Sequence, residues 1–330
     1  MRRYFMKKIS VYLVTFVVAV SIDWGIPRMM PGDPILGFLS KFDLQPGAAH
    51  YEYGYFFKAF GFNEPLWKQY LYYWDAIFHW NLGTSMYYFP ESVTSVIGQH
   101  ILYTAGLLVP AIVLAYFVGN RLGAMAARRR LLDNSVLPSS YVISATPYQW
   151  FAMLLGFFVG GVWHLLPQSN AFAFGTSPTW TWTFIWDFAQ HWILPFLSLF
   201  FIQLGGWAIG MRNLIIYELE SDYAHWLQAL GSPPRLVRRY AYRNAALPQL
   251  TGLAMALGTF VAGQIVTEVV FNYPGLGLVF YNAITNSDVF LMQGVFLILI
   301  IGVLVANFAI DIVYVLVDPR TRVSMMGAVV

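Results

Sequence analysis

The chain has 330 residues, of which 58% are hydrophobic, 18% aromatic and only 11% charged, with a mean hydropathy of +0.57. A soluble domain is usually about one quarter charged, so this composition excludes an ordinary water-soluble fold and indicates a membrane protein. The net charge of +3 is too small to indicate a nucleic-acid partner, and the absence of Cys excludes disulfides and thiolate chemistry.

Six segments are long and apolar enough to cross a bilayer, which takes roughly 20 apolar residues in a helix. We therefore predict an all-α integral membrane protein with spans at 9–30, 101–123, 136–166, 191–210, 250–271 and 292–317. Pro138 and Pro147 predict that the third span is kinked or begins as a surface helix. The first segment is read as an uncleaved helix, because its apolar stretch is too long for a signal peptide and lacks a small-residue cleavage site.

The basic residues lie mostly on one side of these six spans. Fifteen of the 19 Lys and Arg residues fall in or beside 1–8, 124–135, 211–249 and 318–330. Because cytoplasmic loops carry the excess of Lys and Arg, these segments and both termini are predicted to be cytoplasmic.

Residues 31–100 then form an extracellular segment. Within it, the sequence Asn-Glu-Pro at 63–65 is typical of a helix start. Five large side chains follow at helical spacing, namely Trp67, Tyr70, Leu71, Trp74 and Phe78. This amphipathic helix could rest on the membrane, pack against another subunit, cover the mouth of a pathway or contact another protein.

The segment "DYAHWLQALGSPPRLVRRYAYRNAALP", residues 222–248, is the polar part of the loop between spans four and five. One apolar face of a short helix is predicted from side chains at i, i+3, i+4 and i+7, which are Tyr223, Trp226, Leu227 and Leu230. Asp222 lies at the helix start, where a carboxylate favours the helix dipole.

A sharp corner is predicted to follow this short helix. Gly231 is placed just after the helix cap, and Ser232-Pro233-Pro234 provides a cap and a first-turn proline for a second helix that ends near Pro248. Two helices at a fixed corner would form a rigid knob that transmits movement. Composition alone leaves open an alternative, in which a basic loop lies on anionic lipid.

Several ionisable residues lie in or beside the spans, where they are costly. Asp23 is near the outer end of span one, and we expect it to be hydrated. Glu268 and Asp311 are expected to make structural bonds between helices, with a role in a pathway or gate as the alternative. Asp311 precedes Asp318 by one heptad, so both lie on a similar helical face. His164 and His191 both flank the outer loop before span four, but without Cys or suitably spaced carboxylates they do not predict a metal site.

A turn is predicted after span five. Its glycines permit close backbone approach, so the turn either shapes an outer gate or simply closes a loop. The pathway or gate candidates are Glu268, Phe271, Pro274, Gly275 and Gly277.

Residues 222–248 resemble the signature loop of binding-protein-dependent ABC transporter permeases, in the form found in dipeptide, oligopeptide and nickel importers. The matching residues are Asp222, Tyr223, Ala229, Gly231, Arg239, Ala241, Arg243, Asn244, Ala245 and Pro248. Leu227, Leu230 and Tyr240 depart from the usual residues of that loop. Further segments resemble the same family in the same order: "PGDP" at 31–34, "NEPLWKQY" at 63–70, "NLGTS" at 81–85, "HWILP" at 191–195, "TEVVFNYPGLGLVFYNAITNSD" at 267–288 and "DIVYVLVDPRTR" at 311–322.

The resemblance implies the type I ABC importer permease fold and the first of two paired permeases, in the cell membrane of a prokaryote. The implied partners are a second, related permease in a heterodimer, two ABC ATPase subunits, an extracellular solute-binding protein and membrane lipid. It also implies that helix 222–231 couples to an ATPase, through Asp222, Tyr223, Ala229, Leu230, Gly231, Arg235, Arg239, Arg243 and Asn244. Because the chain has no GxxxxGK[ST] motif, ATP and Mg are expected on the ATPases and this chain is expected to be non-catalytic, without a cofactor or metal of its own.

The domains expected on this basis are a first transmembrane helix at 1–30, the extracellular segment at 31–100, a permease core at 101–317 that contains the coupling loop 211–249, and a cytoplasmic tail at 318–330. Peptides are the expected substrate, with oligosaccharides or nickel as alternatives. A secondary transporter or channel would need internal inverted repeats, and an intramembrane enzyme would need a GxSxG or HExxH motif. We find neither kind of signal.

Overall fold

The structure, a computed structural model, describes residues 2–42 and 48–317, and these residues contain helices but no β-strand. The helices are α1 Arg2–Met29, α2 Pro34–Leu39, α3 Ala48–Ala59, α4 Leu66–His79, α5 Val93–Ala126, α6 Arg130–Ala145, α7 Tyr148–Leu155, α8 Trp182–Leu219, α9 Asp222–Ala229, α10 Pro234–Val270, α11 Leu276–Thr285 and α12 Val289–Val317, with a π-helical segment Gly156–Val162 after α7. The all-α prediction is therefore confirmed for the described residues. The predicted tail, including Asp318, Arg320 and Arg322, lies outside them.

Four helices of the described part are long and apolar enough to cross a membrane, and they coincide with the predicted first, second, fourth and sixth spans. They are Lys8–Met29, Val93–Ala126, Trp182–Leu219 and Val289–Ala309. A bent helix pair would make a fifth span. The predicted fifth span, 250–271, lies almost entirely within α10. With the bent pair counted as one span, the described residues contain up to five spans, so the number of six stays a prediction.

The bent pair corresponds to the predicted third span. Arg130–Ala145 and Tyr148–Val162 meet at 101°, which fits a broken span or a re-entrant loop. The predicted kink is thus confirmed, and it lies at Pro147. The residue before a proline is driven out of the α conformation, and Thr146 is indeed extended, with ψ of 127°. Pro138, in contrast, is accommodated inside α6.

Helices α8 and α10 extend into the range predicted as the loop 211–249, because α8 continues to Leu219 and α10 begins at Pro234. The prediction that the second loop helix ends near Pro248 is wrong, since Pro248 lies inside α10. Membrane helices tolerate an internal proline where neighbouring groups support the backbone. Gln249, the residue after Pro248, is buried and packs closely against α8. A Cβ atom added to Gly210 of α8 would lie only 2.6 Å from the Gln249 Nε2.

The described residues divide into two compact units, of which the first contains the chain up to Tyr103 together with Pro274–Leu304. Its apolar core is centred on Ile35, Phe38, Leu39 and Met86. The buried Asp288 carboxylate accepts hydrogen bonds from the Ser85 hydroxyl at 2.5 Å, the Tyr87 N–H at 2.8 Å and the Leu291 N–H at 3.0 Å.

Helix α4 packs on α1 within the first unit. The predicted aromatic helix is confirmed, but its face is divided: Tyr70 contacts Ser21 through a 2.7 Å hydrogen bond, whereas Trp67 and Phe78 are exposed. The expected hydration of Asp23 is wrong. This residue is only 2% exposed and accepts a 2.6 Å hydrogen bond from the Tyr73 hydroxyl of α4, because α4 covers the end of α1.

The second unit contains Thr104–Tyr273 and, among the described residues, 305–317. Helix α8 packs against α6, α7 and α10. The guanidinium of Arg212 on α8 donates to both carboxylate oxygens of Asp133 on α6, at 2.9 and 2.6 Å. Ala124, Met211, Ile215 and Ala245 form a buried cluster at the end of α8 that leads to α9. This unit holds the short helix α9 and its connections to α8 and α10.

Candidate coupling site

Helix α9 begins after a two-residue break at the end of α8. Ser221 is its N-cap in extended conformation, and its hydroxyl donates a 2.6 Å hydrogen bond to the Glu218 carbonyl. Asp222 occupies the first helical position, as the sequence predicts, and its side chain is exposed. A carboxylate in the first turn interacts favourably with the helix dipole, so it supports a helix only eight residues long.

The corner after α9 is a Schellman motif. Gly231 follows the C-cap Leu230 and has a φ of +74°, a conformation that glycine adopts without steric cost. The Gly231 N–H donates to the Gln228 carbonyl at 2.9 Å and the Ser232 N–H to the Leu227 carbonyl at 3.0 Å. The predicted helix end and the predicted corner are therefore confirmed.

The start of α10 differs from the prediction in one respect. Ser232 is not the cap: the N-cap is Pro233, without a side-chain hydrogen bond, and Pro234 occupies the first helical turn as predicted. Both prolines favour the backbone that leaves the corner, since one is extended before the helix and the other has a φ suited to the first turn. The chain thus passes from α9 into α10 through a short connection with little conformational freedom.

The predicted single apolar face of α9 divides into an inner and an outer part. Ala224 is fully buried, and Tyr223 and Leu227 are half-buried beside it. Trp226 and Leu230 point outward and are 70% and 69% exposed. A short helix cannot cover four large side chains with one neighbouring surface, so two of them remain available to another molecule.

Glu218, which the sequence reasoning did not single out, joins the three helices. Its carboxylate accepts a 2.8 Å hydrogen bond from the Tyr223 hydroxyl of α9 and a 3.0 Å hydrogen bond from the Asn244 amide of α10. Burial, followed by this bond to Glu218, raises the pKa of Tyr223, so its hydroxyl keeps the proton that it donates. Glu218 thereby holds the end of α8, α9 and α10 in one arrangement.

We expect Glu218→Ala to lower the free energy of unfolding by about 1–3 kcal/mol, because two hydrogen bonds to a partly exposed charged acceptor are lost. A double-mutant cycle with Tyr223→Phe, measured by thermal denaturation of the purified protein, reports the coupling of this pair. Additive effects of the two substitutions would contradict the role given to Glu218. Exposed Glu220 offers the control: Glu220→Ala is expected to leave stability unchanged.

The remaining coupling candidates lie on the exposed surface. Ala229 is the last residue of α9, and Arg243 projects from α10. Arg235 and Arg239 are also exposed, and they line a groove together with Arg238 of the same helix and two arginines from the end of α5 and the turn after it. Asn244 is the only one of the predicted α10 residues that the described contacts bring to α9, through Glu218.

Glu268 is fully buried in the second unit. Its carboxylate accepts hydrogen bonds from the Thr104 hydroxyl of α5 at 2.8 Å and from the Gln264 amide at 2.7 Å. The same Gln264 amide donates to the Thr104 carbonyl at 3.1 Å. These contacts provide the bond between helices expected for Glu268. Phe271, another gate candidate of this unit, is 1% exposed.

The other gate candidates belong to the first unit. Gly275 is the N-cap of α11, and Gly277 lies inside that helix, so the predicted turn is shorter than expected. Both glycines and Leu276 are buried. The residue with a positive φ in this region, 46°, is Asn272 of the second unit and not a glycine. A gate role for Pro274, Gly275 and Gly277 stays a prediction.

No group of three or more His, Asp or Glu side chains in the described part of the chain could hold a metal ion. His191, at the start of the predicted fourth span, lies 3.4 Å from the Asp187 carboxylate one turn earlier in α8. These two residues alone do not form a metal site.

An all-α chain with several apolar helices and a short, sharply turned helix between two long ones fits a membrane permease. The family described as "Binding-protein-dependent transport system inner membrane component" matches residues 119–323, and the chain belongs to this family. It is an inner membrane component with the type I importer permease fold, as the sequence predicts.

Full-length relatives agree with this membership. The chain is 28% identical to the dipeptide transport system permease protein DppB of Escherichia coli (strain K12), over 98% of this chain and 99% of that protein. It is 29% identical to the di/tripeptide transport system permease protein DppB of Pseudomonas aeruginosa (strain UCBPP-PA14), over 96% of this chain and 97% of that protein. It is 26% identical to the oligopeptide transport system permease protein AppB of Bacillus subtilis (strain 168), over 91% of this chain and 92% of that protein.

Proposed function

We propose that this chain is the permease subunit of an ATP-driven importer of di- and oligopeptides, and that α9 transmits the movement of an ATPase to the membrane helices. The observation that carries the coupling role is the exposure of Trp226 and Leu230 on a short helix that is fixed at both ends to long helices. The names of the relatives, which are dipeptide and oligopeptide transport permeases, support peptides as the cargo.

Other subunits supply what this chain lacks. A second, related permease forms the other half of the pathway, and an extracellular solute-binding protein delivers the peptide. Two ABC ATPase subunits bind ATP and Mg, because the sequence of this chain contains no phosphate-binding GxxxxGK[ST] motif. The family description, an inner membrane component of a binding-protein-dependent system, supports this division of labour.

The construction of the site explains how a small displacement at α9 would reach the bilayer. α9 is joined to α10 through the Gly231 corner and to α8 through Glu218, so it cannot move independently of either helix. α10 has 37 residues, which corresponds to a rod of about 55 Å at 1.5 Å per residue. A push on α9 would therefore tilt two long helices and change the access to the pathway.

We expect Trp226→Ala combined with Leu230→Ala to weaken ATPase binding by roughly 30-fold or more, because buried aromatic anchors dominate docking interfaces. The affinity between purified permease complex and ATPase subunits measures this effect. Both side chains are exposed in this chain, so its thermal stability is expected to change little.

Phe174→Ala with Trp180→Ala is the matched control. These two side chains are 103% and 97% exposed and lie in the segment before α8, away from α9 in the sequence. We expect normal ATPase binding for this pair. Equal affinities for both double variants would contradict docking through α9.

A further inference from the structure

A groove lined by arginines lies in the second unit, formed by the end of α5 and the first turns of α10. Its volume is about 830 Å³, and its lining consists of Arg121, Ala124, Met125, Arg128, Arg235, Arg238, Arg239 and Tyr242. Among the described residues, no Asp or Glu lines this groove. Five guanidinium groups therefore converge on one concave surface without an acidic side chain to balance them.

Arginines line both walls of the groove. On one wall, Arg121 lies on α5 with Ala124 and Met125 one turn further along, and Arg128 lies in the turn just after α5 ends. On the other wall, the spacing i, i+3, i+4 and i+7 places four residues on one face of α10, namely Arg235, Arg238, Arg239 and Tyr242. Each wall therefore presents a basic stripe, made of two arginines on the first wall and three on the second.

This arrangement has no evident use in holding the unit together. Where an arginine has a structural role, as Arg212 does, its guanidinium pairs with a carboxylate on a neighbouring helix. In the groove, the hydrogen bond described for the arginines is that from Arg238 Nε to the Pro234 carbonyl, at 3.0 Å within its own helix. Like charges at close range repel one another, which destabilises the fold unless an anion is bound.

The shape and chemistry of the groove suit a phospholipid headgroup. Guanidinium groups bind phosphate oxygens in pairs, and basic pockets between membrane helices accommodate headgroups with two phosphates. Ala124, Met125 and Tyr242 add apolar surface for the glycerol and the first methylenes of acyl chains.

We propose that this groove binds a diphosphatidyl phospholipid of the cardiolipin class, with one phosphate held by Arg121 and Arg128 and the other by the arginines of α10. The bound lipid bridges the two helices and neutralises both basic stripes. In this proposal Arg235 and Arg239 bind the lipid and not the ATPase. The outward face of α9, with Trp226 and Leu230, remains the surface proposed to contact the ATPase. The inference rests on the membrane location of the chain and not on the coupling role of α9.

The test uses the assembled transporter in mild detergent and measures bound lipid by native mass spectrometry, with cardiolipin and phosphatidylethanolamine added in turn. The wild-type complex is expected to bind cardiolipin at least tenfold more tightly than phosphatidylethanolamine. The triple variant Arg121→Gln, Arg128→Gln, Arg238→Gln is expected to lose this preference. None of these three arginines is a coupling candidate. A missing lipid preference can therefore be told apart from a failure of the proposed coupling to the ATPase.

Arg129→Gln with Arg130→Gln is the control, because these exposed arginines adjoin the groove residues in sequence but do not line it. Retained cardiolipin binding in this control, with loss in the groove variant, supports the site. Equal losses of cardiolipin binding in both variants would show that binding depends only on the general positive charge of this region, and this result would overturn the proposal. It would also be overturned if millimolar inorganic phosphate displaced the lipid, or if the groove variant released the ATPases while keeping its lipid.

Discussion

Replacing Gly231 with Pro is expected to reduce peptide uptake by the reconstituted transporter at least tenfold while ATP hydrolysis continues. Gly231 has a φ of +74°, whereas proline fixes φ near −65°. The substitution also removes the N–H that donates to the Gln228 carbonyl at 2.9 Å. The Schellman motif is then lost, and α9 no longer moves together with α10.

Two matched variants separate this effect from a general loss of stability. Gly231→Asn keeps the N–H and a residue that tolerates positive φ, so we expect nearly normal uptake. Gly175→Pro places proline at another glycine with positive φ, +84°, in a segment with nothing within 4 Å of the added carbon. Normal uptake by assembled Gly231→Pro complexes would refute the coupling role of the corner.

Glu268→Ala is expected to destabilise the protein by about 2–4 kcal/mol, which is enough to lower the amount of folded permease severalfold. The carboxylate is fully buried, and the Thr104 hydroxyl and the Gln264 amide lose this acceptor when it is removed. A cavity is left as well. Thermal denaturation of the purified permease, followed by loss of monodisperse protein, measures the effect.

The isosteric variant Glu268→Gln distinguishes the two roles expected for this residue. Its side-chain oxygen can still accept from Thr104, so a structural role predicts a melting temperature near that of the wild type and retained uptake. A folded Glu268→Gln transporter that no longer takes up peptide would instead favour a gate role. An unaltered melting temperature for Glu268→Ala would show that the buried contacts do not stabilise α5 against α10.

Local signals determined the parts of the site that the sequence could predict. Gly231 and Pro234 fix the corner through their own backbone preferences, so the helix end and the helix start could be recognised without the fold. Pro147 likewise ends α6 because of its effect on the residue before it. The amphipathic spacing of α9 predicted its existence, but it could not tell that Trp226 and Leu230 remain exposed.

Contacts between distant segments account for what the sequence reasoning missed. Glu218 becomes important through Asn244, which lies 26 positions further along the chain. Asp23 is buried because Tyr73, 50 positions away, covers it. The two basic stripes of the groove come from separate segments of the chain, and neither stripe alone differs from an ordinary solvated surface. Pro248 was expected to end a helix, but packing of α10 against α8 outweighs the local signal.

Cysteine cross-linking between α9 and an ATPase subunit is the most direct test of the central claim. The chain has no native Cys, so Leu230→Cys supplies the only thiol, with Phe174→Cys as the exposed control outside α9. We expect Leu230→Cys to cross-link to an ATPase carrying a cysteine on its permease-facing surface, and Phe174→Cys to remain unlinked. Labelling of Leu230→Cys in intact cells by a reagent that cannot cross the membrane would place α9 outside the cell and contradict the account.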